Sequence, residues 1–182
     1  MSPLILIIVL VLVRLFVPLL ILRYRFWGLV AAIAADAGDA AILRMTGFEF
    51  DGITYQEADK FLDIYYLALA FYASRTLFEE ILARRVLMVL FLWRAFGVIL
   101  FEVLEMRQIL FFSPNIFEFF YMGVFGARKF FPKIQLTKPR NILIILLLAT
   151  GLKMPQEYVM HYLEFPWGFG NFRDGLRQLF GP

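Results

Sequence analysis

Four aspartates, Asp36, Asp39, Asp59 and Asp63, lie at or inside the ends of two long hydrophobic stretches of this chain. An ionised side chain in such a place costs roughly 2.5 to 3.5 kcal/mol on membrane-insertion scales, so carboxylates there need a chemical reason. Their spacing supplies one. Asp36 and Asp39 stand i, i+3 on one helix, Asp59 and Asp63 stand i, i+4 on the next, and each pair therefore shares a helix face. If the two helices are neighbours, all four carboxylates converge on one pocket. So much negative charge in one place is self-repulsive, and it makes most sense around one or two hard divalent cations, Mg²⁺ or Mn²⁺, which take oxygen ligands.

The elements that must position these residues are membrane-spanning. The chain has 182 residues, 62% hydrophobic, with a mean hydropathy of +0.75. A soluble domain is usually about 45 to 50% apolar. The expected fold class is all-α, a polytopic transmembrane helical bundle of about six spans. One domain over 1–164 and an interfacial C-terminal tail over 165–182 are expected, the tail carrying Trp167 and several phenylalanines as an anchor. The chain contains no cysteine, which excludes thiolate metal centres and disulfides, and its single histidine argues against haem ligation. The net charge of +3 is small and spread over loops, so no nucleic-acid partner is expected.

Along the chain, Leu4 to Leu22 forms a first span interrupted by Arg14 and Pro18, and Arg14 should point inward toward the aspartates. The second span, Phe26 to Met45, is rich in small residues (Gly28, Ala31, Ala32, Ala34, Ala35, Gly38) that allow close helix approach, so it should be central. The third runs from about Tyr55 to Leu77. A charged stretch from Arg75 to Arg85 reads as an interfacial turn with a Glu80–Arg84 pair. The fourth span, Val86 to Leu104, holds Arg94 and Glu102, spaced to complete a buried network. The fifth is short and aromatic, with Pro114 at its start and Glu118 inside, its phenylalanines expected to face lipid or a partner. The sixth, Asn141 to about Tyr162, carries Glu157 and His161 at i, i+4, a weak match to a metal-ligand pair.

The segment Asp36-x-x-Asp39-Ala40-x-x-Leu43-Arg44, followed by Tyr55-x-x-x-Asp59-x-x-x-Asp63, resembles the signature of the CDP-alcohol phosphotransferases. All four aspartates and the arginine match, and Arg14 with Pro18 is similar to the Arg and Pro of that family's first membrane helix. The chain departs from the signature at Ala40, Leu43 and Tyr55, where the family has smaller residues. The resemblance covers roughly residues 10 to 70. It implies that Asp36, Asp39, Asp59 and Asp63 hold divalent ions, that Asp63 also acts as general base on an acceptor hydroxyl, and that Arg44 offsets substrate phosphate charge.

Two further readings stand beside this one. The chain can be a non-catalytic subunit or assembly factor of a larger membrane complex, its buried charges forming structural ion pairs, or the carboxylates can line an ion or proton path. The expected partners are membrane lipids and a second copy or a larger membrane complex, and the expected location is the bacterial cytoplasmic membrane. Orientation separates the readings. Ten of the basic residues fall in the loops on one side and five on the other. Positive-inside reasoning on six spans therefore puts the mouth of the aspartate pocket outside the cytoplasm, whereas the family resemblance implies that it opens inward.

Overall fold

The structure, a computed structural model, describes residues 3–46, 52–104, 106 and 108–158, and side chains over 5–39, 42, 60–104, 106 and 109–158. Every regular element among them is helical. Helix α1 (Pro3–Phe16) runs into a 3₁₀ turn at Val17–Leu19 and the short α2 (Leu20–Arg23). The 3₁₀ turn sits at Pro18, whose missing N–H cannot continue the α-helical ladder. The chain then reverses at Tyr24 into α3 (Arg25–Thr46), followed by α4 (Gly52–Ala73) and α5 (Ile81–Leu104). Helices α6 (Gln108–Phe112), α7 (Ile116–Phe130) and α8 (Pro139–Glu157) complete the described bundle.

Among the described residues three segments are long and apolar enough to cross a membrane: Ile5–Arg23, Ile81–Leu104 and Ile109–Phe130. Helices α3 and α4, at 22 residues each, have the length of about 33 Å that crossing requires but carry the charges of the aspartate motif. The sidedness of α5 is that of a membrane helix. Val89, Leu92, Phe96, Ile99 and Val103 form an exposed stripe at three- and four-residue intervals, while Arg94, Gly97, Val98 and Phe101 face inward. Helix α8 repeats this, with Leu143, Ile144, Leu147, Leu148 and Leu152 outside and Lys153 and Glu157 inside. A soluble helix turns its apolar stripe inward. These two turn it outward, and the chain is a membrane protein.

The core is built where α3, α4, α5, α7 and α8 meet, from Leu29, Leu67, Leu77, Leu87, Phe117, Phe120, Tyr121 and Ile142, all fully enclosed or nearly so. Phe117, Phe120 and Tyr121 of α7 are the largest fully buried side chains described, so these rings pack inside the chain rather than against the lipid or partner expected for this span. The reason is position: α7 packs against α3, α4, α5 and α8, so most of its faces meet protein. Phe91 stacks parallel to Phe71 at 5.0 Å and meets Phe117 edge-on, tying α4, α5 and α7 together.

Glycine sets the closest crossing. A Cβ at Gly28 would collide with the backbone of Leu20 and Ile21, so α2 lies directly on α3 at that point. Gly38 faces open space and plays no such part. Two local expectations change. Residues 77–80 form a corner rather than a helical turn, and Glu80 pairs with Arg128 at 3.7 Å, not with Arg84, joining α5 to the end of α7. Arg94 and Glu102 do not pair among the described residues. Arg94 Nη1 instead donates to the carbonyl of Ser113 at 2.9 Å, and Trp93 Nε1 to that of Phe112 at 3.0 Å. These two bonds occupy carbonyls at the end of α6, where no following helical N–H reaches them.

Candidate functional site

Helices α3 and α4 are neighbours, and α1 packs on α3. Asp36, Asp39 and Asp63 consequently meet at one point, and Arg14 of α1 sits at that point. Its Nη2 lies 2.5 Å from Asp36 Oδ1 and 2.8 Å from Asp63 Oδ1, and its Nη1 lies 3.1 Å from Asp39 Oδ2. Lys60 Nζ approaches the other oxygen of Asp63 at 3.8 Å. Arg14 is only 4% exposed, so the guanidinium is held by the carboxylates rather than by water. The planar fork explains why arginine stands here: it presents several N–H groups in fixed directions and can serve three acceptors at once, which a lysine ammonium on its flexible stem does less well.

Local structure prepares this arrangement. Arg14 lies in the last turn of α1, just before Pro18 interrupts the helix. The Leu15 carbonyl accepts a hydrogen bond from the Tyr65 hydroxyl at 3.0 Å, which fixes the end of α1 against α4 two residues beyond Asp63. The convergence expected from the i, i+3 and i, i+4 spacings is therefore present for Asp36, Asp39 and Asp63, and Arg14 points inward as its depth required. Asp59 and Arg44 lie within α4 and α3, but their side chains fall outside the described residues, as do His161 and the 165–182 tail.

A second buried polar cluster begins close to one turn further along α4, at Tyr66. Tyr66 donates its hydroxyl hydrogen bond to Glu118 Oε1, which also accepts from Asn115 Nδ2 at 2.6 Å. Lys153 Nζ stands 3.4 Å from Glu118 Oε2 and 3.6 Å from Glu157 Oε1, and the same Glu157 oxygen accepts the Asn115 backbone N–H at 3.1 Å. The Lys153 ammonium also lies 5.4 Å from the centroid of Phe119. All five polar residues are buried. Here Glu157 pairs with Lys153, four residues earlier; the pairing expected with His161 lies outside the described residues. Sequence reasoning noted Glu118 and Glu157 separately and passed over Lys153 and Asn115. The available signal was a lysine four residues before a glutamate in a span, the helical spacing of an ion pair.

No protein-family model, curated protein or solved structure matches this chain.

The donor set at Arg14 can be tested against the cation expected there. Asp36, Asp39 and Asp63 offer carboxylate oxygens only, from two helices, which is the ligand chemistry of Mg²⁺ and Mn²⁺ and not of softer metals. The guanidinium stands where these oxygens gather, as a resident counter-cation. Among the described residues no group of three or more such side chains is arranged to hold a metal ion, so a hard divalent ion would require Arg14 to share its carboxylates or turn toward an incoming anion.

Proposed function

We propose that the α1–α3–α4 cluster is the reaction site of a metal-dependent membrane phosphotransferase of the CDP-alcohol type. The observation that supports this most directly is the meeting of Asp36, Asp39 and Asp63 within 3.1 Å of one guanidinium. Carboxylates from two separate motif halves meet only if α3 and α4 pack with those faces together. Asp36 and Asp39, with Asp59, would hold a divalent ion, which supplies neutralisation of the donor diphosphate when bound. In this reading Asp63 would accept the proton of the acceptor hydroxyl, with Lys60 Nζ 3.8 Å from its other oxygen. Arg14 supplies an N–H fork that can move from carboxylate to phosphate oxygens, both of which it binds in the same bidentate manner. Arg44 is the second phosphate counter-charge.

The test combines orientation with chemistry. Because the chain lacks cysteine, a single cysteine introduced by Thr46→Cys can be labelled with a membrane-impermeant thiol reagent. The proposal requires protection in intact cells, since its donor is cytoplasmic, although the distribution of basic loops favours the opposite. Purified protein in nanodiscs with a CDP-alcohol and a hydroxyl acceptor should then release CMP only with Mg²⁺ or Mn²⁺, and Asp63→Asn should abolish release. Labelling from outside, or no divalent-dependent release, overturns the reading.

A second reading is favoured by the seating of Arg14 itself. A guanidinium bonded to three carboxylates, together with the Lys153 cluster, is also how a non-catalytic membrane subunit would fasten its helices by buried ion pairs. On that reading Asp63→Asn alters stability and leaves no catalytic deficit to measure.

A further inference from the structure

We infer that the basic, aromatic cavity at the end of the bundle remote from the aspartates is a binding site for the phosphate headgroup of an anionic phospholipid. The cavity has a volume of about 420 Å³, within the range of small-ligand sites. Arg23, Arg25, Arg128 and Lys129 line it together with Trp27 and Thr76, and no acidic residue does so among the described residues. Glu80 stands beside it, paired with Arg128 at 3.7 Å, and offsets one of the four positive charges. The remaining excess is positive and concentrated in one concavity.

Its level in the bundle identifies the source of the phosphate. Arg23 ends α2, Arg25 begins α3, Thr76 closes the 3₁₀ turn Ser74–Thr76 that follows α4, and Lys129 lies in the last turn of α7. Four helix ends at one height mark a membrane–water interface, where lipid headgroups are the nearest phosphates. Asp36 is eleven residues beyond Arg25 on α3, about 17 Å along the axis, so this cavity is separate from the aspartate cluster. Tyr24 and Trp27 are more than half exposed at the same level, the position of interfacial aromatic anchors.

The polar groups are prepared for an anion. Arg25 Nε is buried with no hydrogen-bond partner among the described residues, while its Nη1 donates to the Arg23 carbonyl at 3.3 Å. Lys129 Nζ is held 5.2 Å from the centroid of the Trp27 ring, which in turn meets Phe26 edge-on at 5.1 Å. Arg128 Nη1 donates to the Thr76 carbonyl at 3.2 Å. Three of the four cations are thus positioned by neighbours before any ligand arrives, which lowers the ordering cost of binding. Basic recesses between membrane helices are established recognition sites for lipid phosphates.

The full chain in a neutral detergent, titrated with dioctanoyl phosphatidylglycerol, dioctanoyl phosphatidylcholine or inorganic phosphate and read by native mass spectrometry, tests this. One phosphatidylglycerol should bind saturably, at least tenfold more tightly than phosphatidylcholine, and inorganic phosphate should displace it only in large excess. Combining Arg23→Gln with Lys129→Gln should weaken binding about twenty-fivefold, the effect of two interfacial charges at about fivefold each. Lys129→Arg should retain it, and Arg85→Gln, outside the cavity, should not change it. If the double variant fails to fold, Arg23→Gln alone, an exposed position, should still lose about fivefold. Equal binding of the two lipids, a double variant within threefold of the parent, or phosphate competing at lipid concentrations would each overturn the assignment, the last by making the ligand a soluble anion.

Discussion

Replacing Arg14 with methionine is the most informative single perturbation of this protein. Methionine keeps the unbranched stem and removes the guanidinium, so packing in the last turn of α1 is largely preserved while Asp36, Asp39 and Asp63 lose a shared cation at 2.5, 3.1 and 2.8 Å. Removing one partner of a buried pair costs about 3 to 5 kcal/mol, chiefly because the remaining charge is left uncompensated. Three carboxylates depend on this one side chain, so a loss at the upper end, about 5 kcal/mol, is expected in a denaturant titration of the detergent-solubilised protein. The decisive step is to repeat the titration with Mn²⁺. If the cluster binds divalent cations, metal at a hundredfold excess over its dissociation constant should restore about 2.7 kcal/mol to the variant. Arg14→Met combined with Asp36→Asn and Asp39→Asn should lose that rescue. A variant within about 1 kcal/mol of the parent would refute the claim that Arg14 holds the cluster together. A destabilised variant indifferent to Mn²⁺ would refute the metal site and leave a structural ion-pair knot.

Lys153→Met should cost about 3 to 5 kcal/mol in the same titration by leaving Glu118 and Glu157 without their shared ammonium, and adding Glu118→Gln and Glu157→Gln should recover much of the loss. Gly28→Val should destabilise by about 3 kcal/mol, the upper end of overpacking costs, because the new Cβ meets the backbone of α2 rather than a side chain that can turn away; Gly28→Ala should show a smaller loss of the same sign. Arg94→Leu should remove the donor to the Ser113 carbonyl and cost about 1.5 to 3 kcal/mol, with faster amide exchange over residues 113–116 as its local signature; unchanged exchange there would show that the corner does not depend on Arg94.

The helical class, the inward Arg14 and the meeting of Asp36, Asp39 and Asp63 were legible because each follows from a local rule. A 3.6-residue period fixes which residues share a face, and the cost of charge in hydrocarbon fixes which way that face turns. What was not legible depends on which helices are neighbours. Glu80 has an acceptable partner at Arg84 by spacing, yet it takes Arg128, because the corner at 77–80 carries its side chain to the end of α7. Arg94 likewise had a candidate in Glu102, but two turns of helix separate them, and a carbonyl at the α6 terminus is nearer. The phenylalanines of α7, expected against lipid or a partner, include rings that pack inside the chain. Nothing in their spacing announces that α7 is enclosed by four other helices. Lys153 was overlooked for the converse reason: a lone lysine near the end of a span has the option of reaching water, and only the placement of Glu118 and Glu157 shows that it turns inward.

Helix α4 gives the two buried clusters a common mechanical basis. Asp63 and Tyr66 are three residues apart on it, close to one turn, with Asp63 bonded to Arg14 of α1 and Tyr66 bonded to Glu118 of α7. Tyr65, between them, holds the Leu15 carbonyl. A rotation of α4 that improved one set of bonds would therefore strain the other, since neither side chain is long enough to follow independently. In a membrane, where apolar burial discriminates weakly between helix rotations because lipid is as apolar as the core, such paired polar contacts are what select one rotation. The carboxylates of the aspartate cluster are in this way held in register by a second network close to one turn further along the same helix, which ties α4 to α7 and α8.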